Sequence, residues 1–483
     1  MNGCQAGLQG VAQVGRAASF ARVNHLAPVN FTKNAIGAGT GIIRSAPAIL
    51  ALLTGLNLLN YIDRMVMAAV VSRVQSELHL SSLAAGSLAT VFLVGYFATS
   101  PVFGVLADRP GVDRRKRLLA IGVAVWSAAT VASGLAHSVT GLFMARALVG
   151  VGEASYVAIA PTFIDASSSP TRRARSMAIF SAAIPIGSAL GYVVGGAVLH
   201  THGWRAVFLV AGAPGLVLAL LCLLIAEPPR TARAATATLV GSAGILRGMA
   251  LYGRVVAGYC AYTFAIGGFA FWAPKYVHAR FGVDDGYASM SFGTVTVVAG
   301  FVGTIVGGWL GDLAGRATEA KTHTIDEAGA SRPPSNSPDS GGNPARSDEE
   351  TDLTVAAGNM RICALAAAVG APLAALAIFS TTSRGFYSWA FPCEAFLFLL
   401  SGPINVAILR SVPPELRATG MAASVFFIHL LGDLWSPPLL GFVADHASMT
   451  AAMSIIPLTF VLAAAIWAAG HASTGLTRAV AVR

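Results

Sequence analysis

Charge is what this chain most lacks. Only 11% of its 483 residues are Asp, Glu, Lys or Arg, and 55% are apolar, where soluble domains run at about 25% charged. That shortage excludes a water-soluble fold and leaves a polytopic membrane protein. Acids are missing altogether from residues 1–46, which carry four basic residues; the first acid in the chain is Asp63. The five cysteines (Cys4, Cys222, Cys260, Cys363, Cys393) are scattered with no C-x-x-C. This argues against a disulfide framework or a zinc site and for buried, inert thiols. No Walker loop, Gly-rich phosphate cradle, G-x-S-x-G or His/Cys metal spacing occurs, so ATP-driven pumping and hydrolysis have no support. The chain is not read as an enzyme, and no cofactor, metal or catalytic residue is expected. A net charge of +10 would suit nucleic acid, but the basic residues lie between apolar segments, as membrane topology requires. No nucleic-acid partner is expected.

What is abundant is apolar sequence in blocks of about twenty residues or more, the length of a helical span. Twelve can be marked, roughly at 47–71, 83–107, 117–136, 140–163, 175–198, 204–226, 250–276, 287–312, 357–380, 386–410, 417–443 and 450–470. Placing both termini in the cytoplasm puts 25 of the 32 Lys/Arg inside and five outside, with Arg64 and Arg146 within spans; that asymmetry fixes the orientation. Arginine outnumbers lysine 28 to 4, a bias of GC-rich genomes that suggests a bacterial inner (plasma) membrane. The acid-free tail reads as a cytoplasmic segment lying partly on the bilayer, with an organelle transit peptide as the alternative.

The chain repeats itself. Gly104-Val-Leu-Ala-Asp108 returns as Gly308-Trp-Leu-Gly-Asp312, 204 residues on. Pro170-x-x-Arg173-Ala174-x-x-Met177-Ala178 returns as Pro414-x-x-Arg417-Ala418-x-x-Met421-Ala422, 244 residues on. The growth in offset marks an insertion of about 40 residues in the second half, at a polar stretch too hydrophilic to fold, for which disorder is the expectation. The chain thus divides into an N-terminal tail (1–46), a six-helix bundle (47–227), a cytoplasmic connection (228–249), a second six-helix bundle (250–470) carrying a disordered insertion at about 316–354, and a C-terminal tail (471–483). The fold expected is an all-α membrane protein of twelve transmembrane helices in two pseudo-symmetric bundles. Parallel halves of this kind place a binding site near mid-membrane at their interface.

Four charges stand inside the apolar segments. Arg146 and Glu153 are seven residues apart, two helical turns, so both project from one face of the fourth span about 10 Å apart. Asp63 and Arg64 lie in the first. Each costs roughly 2.5–3.5 kcal/mol at mid-membrane, and four unpaired would cost on the order of 10 kcal/mol. They are therefore expected to face one another or a wet cavity. Asp63 is the leading proton site, pairing with Arg146 when ionised and releasing it when protonated, with Glu153 as a second. Arg64 and Arg146 are candidates for an anionic headgroup through bidentate bonds. Adjacent residues on a helix do not face each other, so Asp63 and Arg64 must serve different neighbours. The competing reading is a static buried salt network. His429 and Asp433, one turn apart, support either a relay or a structural contact across the interface between halves. Glu394 could be a substrate ligand or a proton site; Tyr259, Thr263, Trp272 and Asn405 are cavity candidates, though aromatics there also serve as packing or interfacial anchors.

Gly104-x-x-x-Asp108-Arg109-x-Gly111-x-Asp113-Arg114-Arg115-Lys116, with its echo at Asp312, is the most specific pattern. Its glycines would let span ends approach closely, Asp108 could accept from a neighbouring helix end, and the basic run holds the loop inside. In this the chain resembles the major facilitator superfamily, which assigns that loop to conformational gating. The departures here are Pro110 and Asp113 within the motif. Within that superfamily it resembles the Spinster-like branch, through Asn60-Tyr-Ile-Asp63-Arg64, Arg146-Ala-Leu-x-Gly-x-Gly-Glu153-Ala, Phe271-Trp272-Ala-Pro274, Gly402-Pro403-Ile-Asn405 and His429-Leu-Leu-Gly432-Asp433-Leu-Trp-Ser436-Pro437. The resemblance implies a secondary transporter of lysolipids, sphingoid phosphates or related amphiphiles, proton-linked in bacterial members; a monomer is the functional unit expected. A carrier of small organic solutes or drugs is the alternative, and a non-transporting receptor or scaffold a more distant one.

Overall fold

The computed structural model describes residues 41–109, 113–169, 171–227, 250–330 and 344–481. The tail through residue 40, the connection at 228–249 and Gly111 of the loop motif lie outside the described residues.

In hydrocarbon a segment must satisfy its own backbone N–H and C=O groups, so the apolar blocks become helices despite interior prolines. The first half holds α1 (Ala46–Glu77), α2 (Ser82–Asp108), α3 (Arg114–Gly134) and α4 (Val139–Ser167). The stretch Arg173–Leu223 follows, and Gly203, at φ 79° and ψ 170°, breaks it into α5 (173–202) and α6 (204–223). That left-handed φ costs glycine little and a side-chain-bearing residue much. The second half holds α7 (Ala250–Phe281), α8 (Asp285–Ala330) and α9 (Pro344–Ile378). After these come α10 (Ser383–Leu399, resumed as Ser401–Arg410) and α11, which is Arg417–Ile428, a π-helical turn His429–Asp433, then Ser436–His446. Last is α12 (Met449–Met453, resumed as Ile455–Ala481). Eleven described stretches are long and apolar enough to cross a membrane, and the break at Gly203 divides one of them, giving the twelve expected spans.

Helix boundaries obey the repeat. Residues 46 and 77 bound α1, and 250 and 281 bound α7. Ser138 caps α4 by accepting from the Gly141 amide at 3.1 Å, and Thr382 caps α10 by accepting from the Gly385 amide at 3.1 Å, 244 residues on. Each cap satisfies an amide that the first helical turn leaves without a partner.

The insertion differs from expectation at its flanks. Helix α8 continues to Ala330 and α9 begins at Pro344, so 316–330 and 344–354 are helical; 331–343 lie outside the described residues. Glu319, Ala320, Lys321, Glu327 and Ala328 are good helix formers, and a helix already nucleated in the membrane extends through them without a new nucleation cost.

The halves meet at the end of the bundle where α1 passes into α2. One apolar core there runs across both, from Val66, Val70 and Val74 of α1 to Ala265, Phe269 and Trp272 of α7 and Phe292 of α8. Around it Ser289 Oγ donates to Ala69 O at 2.9 Å and Tyr192 Oη to Ala270 O at 2.6 Å. Arg73 Nε pairs with Asp285 Oδ2 at 2.7 Å, and Lys275 reaches Gln75. Most specific is Asp445 of α11: its carboxylate accepts the Ser82 amide at 2.7 Å and the Leu83 amide at 2.8 Å. An acid from one half thus caps the N-terminus of a helix in the other. Toward the opposite end a methyl group on Gly104 or Gly308 would meet no atom within 4 Å. Gly104 makes no close approach in this conformation, whereas the Gly308 backbone is approached within its own half by Gly402, whose added methyl would lie 3.4 Å from Gly308 Cα; the contacts just described that join the halves lie at the other end.

Candidate functional site

Helices α1 and α4 bring the four intramembrane charges together in two crossed pairs. Arg64 Nε lies 2.8 Å from Glu153 Oε2, and Arg146 Nη1 lies 3.6 Å from Asp63 Oδ1. Asp63 and Arg64 do serve different neighbours, and the seven-residue spacing on α4 supplies both. Asp63, Arg146 and Glu153 are 1%, 2% and 0% exposed, so neither acid has bulk water to lean on, while Arg64 is 16% exposed. The two contacts differ in kind. The first is a charge-assisted hydrogen bond; the second is too long for one and acts through charge alone. The nearest partner of Asp63 is Thr130 of α3, whose Oγ1 lies 2.6 Å from Oδ2.

Aromatic rings surround the guanidinium groups. Arg64 Cζ stands 5.2 Å from the Tyr61 and Phe92 ring centres and 5.3 Å from Tyr96, and Arg146 Cζ stands 5.4 Å from Phe92. Ring faces stabilise a desolvated cation, and Phe92 does so for both. Asn60, one turn before Arg64, is fully buried beside Glu153.

Of these, Arg64, Arg146 and Phe92 line one wall of a cavity of about 220 Å³ between the halves. Arg64 and Arg146 face it from the first half, and Thr263, Phe271 and Asp433 from the second. Arg146 Nε and Nη1 are buried with no hydrogen-bond partner, and Nη1 has only its charge contact with Asp63. Across the gap Asp433 Oδ2 is 2.9 Å from His429 Nδ1 within the π-helical turn. The His429 ring also lies 5.7 Å from Phe97 of α2. The pair thus touches both the cavity and the seam.

The second half does not repeat the charges. At the 204-residue offset Asp63 and Arg64 become Gly267 and Gly268, and at 244 Arg146 and Glu153 become Ala390 and Leu397. A methyl on Gly267 would lie 2.7 Å from Asp433 Cβ and 2.8 Å from Ser436 Oγ. Where one half carries an acid on its first helix, the other carries nothing there and lets α11 approach with an acid of its own.

The model for the Major Facilitator Superfamily matches residues 53–322. A probable sphingolipid transporter of Arabidopsis thaliana, spinster homolog 2, is 30% identical over 452 residues, covering 86% of this chain and 84% of that protein. The chain belongs to the major facilitator superfamily, in its Spinster-like branch. The sphingosine-1-phosphate transporter SPNS2 of Xenopus tropicalis is 29% identical over 423 residues, 83% of this chain and 74% of that one. Among solved structures, a bacterial homologue of the human lysosomal transporter Spinster, inward-facing and occupied, matches with a TM-score of 0.70 at 19% identity, covering 88% of this chain and 96% of that one.

In this Spinster-like chain the loop after α2 is anchored in its own half. Arg115 Nε lies 2.9 Å from Glu227 Oε1 just past α6, with its guanidinium 5.1 Å from the Phe163 ring, and Lys116 Nζ lies 3.1 Å from Asp113 Oδ2. Asp113 holds the turn into α3 with a left-handed φ of 55°. Arg109 and Arg114 flank that turn, and Asp312 lies on α8.

Several cavity candidates sit elsewhere. Trp272 is fully buried and donates from Nε1 to Pro437 O at 2.9 Å: a buried indole N–H must find an acceptor, and α11 supplies one. Its neighbour Phe271 lines the cavity instead. Tyr259 is outside the lining, its carbonyl accepting from Thr263 Oγ1 at 2.6 Å. Asn405 is exposed and bonds back one turn to Ser401 O at 2.8 Å. Glu394 is buried in α10 away from this cavity, with Oε2 lacking a hydrogen-bond partner. Sequence reasoning missed Thr130, Asn60, Phe92 and Tyr192. The three with hydrogen-bonding side chains, Thr130, Asn60 and Tyr192, carry a signal, since any such side chain in an apolar span needs a partner.

Proposed function

We propose that this protein is a proton-coupled secondary active transporter that works by alternating access and moves lysolipid, sphingoid-phosphate or similar amphiphilic anions. The observation that carries this reading is the cavity between the halves, lined by Arg64 and Arg146 from the first half and by Thr263 and Asp433 from the second. A volume of about 220 Å³, below the 300–1,000 Å³ of ordinary ligand pockets, suits a headgroup better than a whole lipid. The names of the related proteins, sphingolipid and sphingosine-1-phosphate transporters, favour the same class. Asp63 and Glu153 carry protons in this scheme: each sits on an arginine that would be freed for substrate when its acid is neutralised. With both termini cytoplasmic in a bacterial inner membrane, the sealed end faces outward and the Gly104 end inward.

Two measurements test it. A thermal-shift panel compares lysolipids with soluble organic anions on purified protein; a true ligand at 100 times its Kd stabilises by about 2.7 kcal/mol. Stabilisation by the soluble anions alone would turn the reading toward a small-solute carrier. Proton-driven uptake into liposomes is then compared for wild type, Asp63→Asn and Glu153→Gln, and full activity in both variants removes the coupling.

A further inference from the structure

The Thr130 hydroxyl stands between two acceptors and has one hydrogen to give. Its Oγ1 is 2.6 Å from Asp63 Oδ2 and 3.0 Å from the carbonyl of Trp126, one turn back on α3. Thr130 and Asp63 are both buried, so water does not take over either bond. A hydroxyl is both donor and acceptor, which lets this one serve Asp63 in either protonation state.

We propose that Thr130 is the positioning residue for proton exchange at Asp63, its hydroxyl hydrogen alternating between the Asp63 carboxylate and the Trp126 carbonyl. With Asp63 ionised, Thr130 donates to Oδ2. When Oδ2 takes up a proton, the new O–H donates to Thr130 Oγ1, and the threonine hydrogen rotates to Trp126 O. One proton is gained, and neither Asp63 Oδ2 nor the Thr130 hydroxyl loses its hydrogen bond, so the contact between α1 and α3 persists through the cycle. The carboxyl is held on α3 whichever state it is in, and the charge-only contact with Arg146 at 3.6 Å is the one that changes. The charged groups acting on Asp63 are Arg146 and Glu153 of α4 and Arg64 beside it on α1. Helix α5 packs instead on the α1 face bearing Leu58, Tyr61 and Ile62, and α6 approaches Leu59 through Gly215. This inference rests on the proton-coupled reading only in assigning the exchange to transport.

The test needs no substrate. Infrared pH titration of purified protein follows the protonated-carboxyl band, with Asp63→Asn subtracted to isolate Asp63. Thr130→Val removes a bond from both forms, but the bond to the ionised carboxylate is roughly twice as strong as the neutral one, so the Asp63 midpoint should rise by about one pH unit. Thr130→Ser keeps the hydroxyl and should leave the midpoint at its wild-type value, and it guards against a valine variant that fails to fold. An unchanged midpoint in Thr130→Val, or an equal shift in both variants, overturns the proposal, as does an Asp63 band that never titrates. If the midpoint shifts as expected while liposome uptake of a fluorescent lysophospholipid is independent of pH, the Thr130 assignment stands and the proton-coupled reading falls.

Discussion

Replacing Asp445 with alanine should loosen the seal between the halves. Its carboxylate accepts two amides of the first turn of α2, at 2.7 and 2.8 Å, and Ser81 Oγ accepts a third, from Ala84, at 3.1 Å. Removing Asp445 frees two of those three amides and takes a negative charge from a helix N-terminus. Loss of a capping side chain costs about 1 kcal/mol, and loss of the favourable charge about 0.3–1 kcal/mol at an exposed site. Asp445 is exposed, so water takes over part of the work, and a total of about 1–2 kcal/mol is expected. That corresponds to roughly a 5–30-fold rise in the population open at this end. Spin labels at Leu135 and Phe379, both exposed and following α3 and α9 in opposite halves, would report it by double electron–electron resonance as a growing long-distance component. Asp445→Asn, which keeps an acceptor oxygen without the charge, should fall between wild type and alanine. Identical distance distributions in all three proteins would refute the reasoning.

Three other outcomes follow from the same geometry. Gly267→Ala places a methyl 2.7 Å from Asp433 Cβ; α11 must shift, at about 1–3 kcal/mol in stability, and thermal melting with unchanged uptake would show that the contact is slack. Asp284, in the loop before α8, is partly desolvated, but the amides of Tyr287 and Gly286 and the His200 side chain hold its carboxyl below the ordinary range. Its contribution is therefore complete above the unfolded value of about 4 and lost as pH falls through the lower folded value. The melting difference between wild type and Asp284→Asn should accordingly stay flat through neutral and mildly acidic pH; its disappearance anywhere in that range would refute a carboxyl held by the two amides. Glu227→Ala removes the 2.9 Å bond to Arg115 and should cost about 1.5–3 kcal/mol, the range for a hydrogen bond to a charged group, while replacing both with methionine should restore most of that. A double variant no more stable than the single one would contradict the pairing.

The helices were legible because the membrane enforces one rule on every span, and the repeat was legible because duplication kept both boundaries and caps: Ser138 and Thr382 begin their helices alike. The charged set could be assigned to one place from the cost of leaving Asp63, Arg64, Arg146 and Glu153 unpaired. Which acid would take which arginine was only half readable. Asp63 with Arg146 follows from comparable depth, whereas Arg64 with Glu153 depends on how α1 is rotated, which neighbouring helices set. The cavity lining was harder still. Phe271 and Trp272 are adjacent and equally apolar in sequence, and only the position of the Pro437 carbonyl decides which one turns inward. Thr130 stood unnoticed among alanines and valines for the same reason: its importance lies in what faces it.

The uneven inheritance of charge between the halves bears on how the molecule deforms. The amino-terminal bundle is cross-tied by Arg64–Glu153 and by Asp63 with Thr130, and pulling α1 away from α3 or α4 would strand buried charge. The carboxy-terminal bundle has no such ties at the matching positions, and its helices are interrupted, α10 at Leu400, α11 at the His429–Asp433 turn and α12 at Ser454. Stiffness is therefore concentrated on one side of the seam and compliance on the other, and amide hydrogen exchange should find α10 and α11 opening well before α1 and α4.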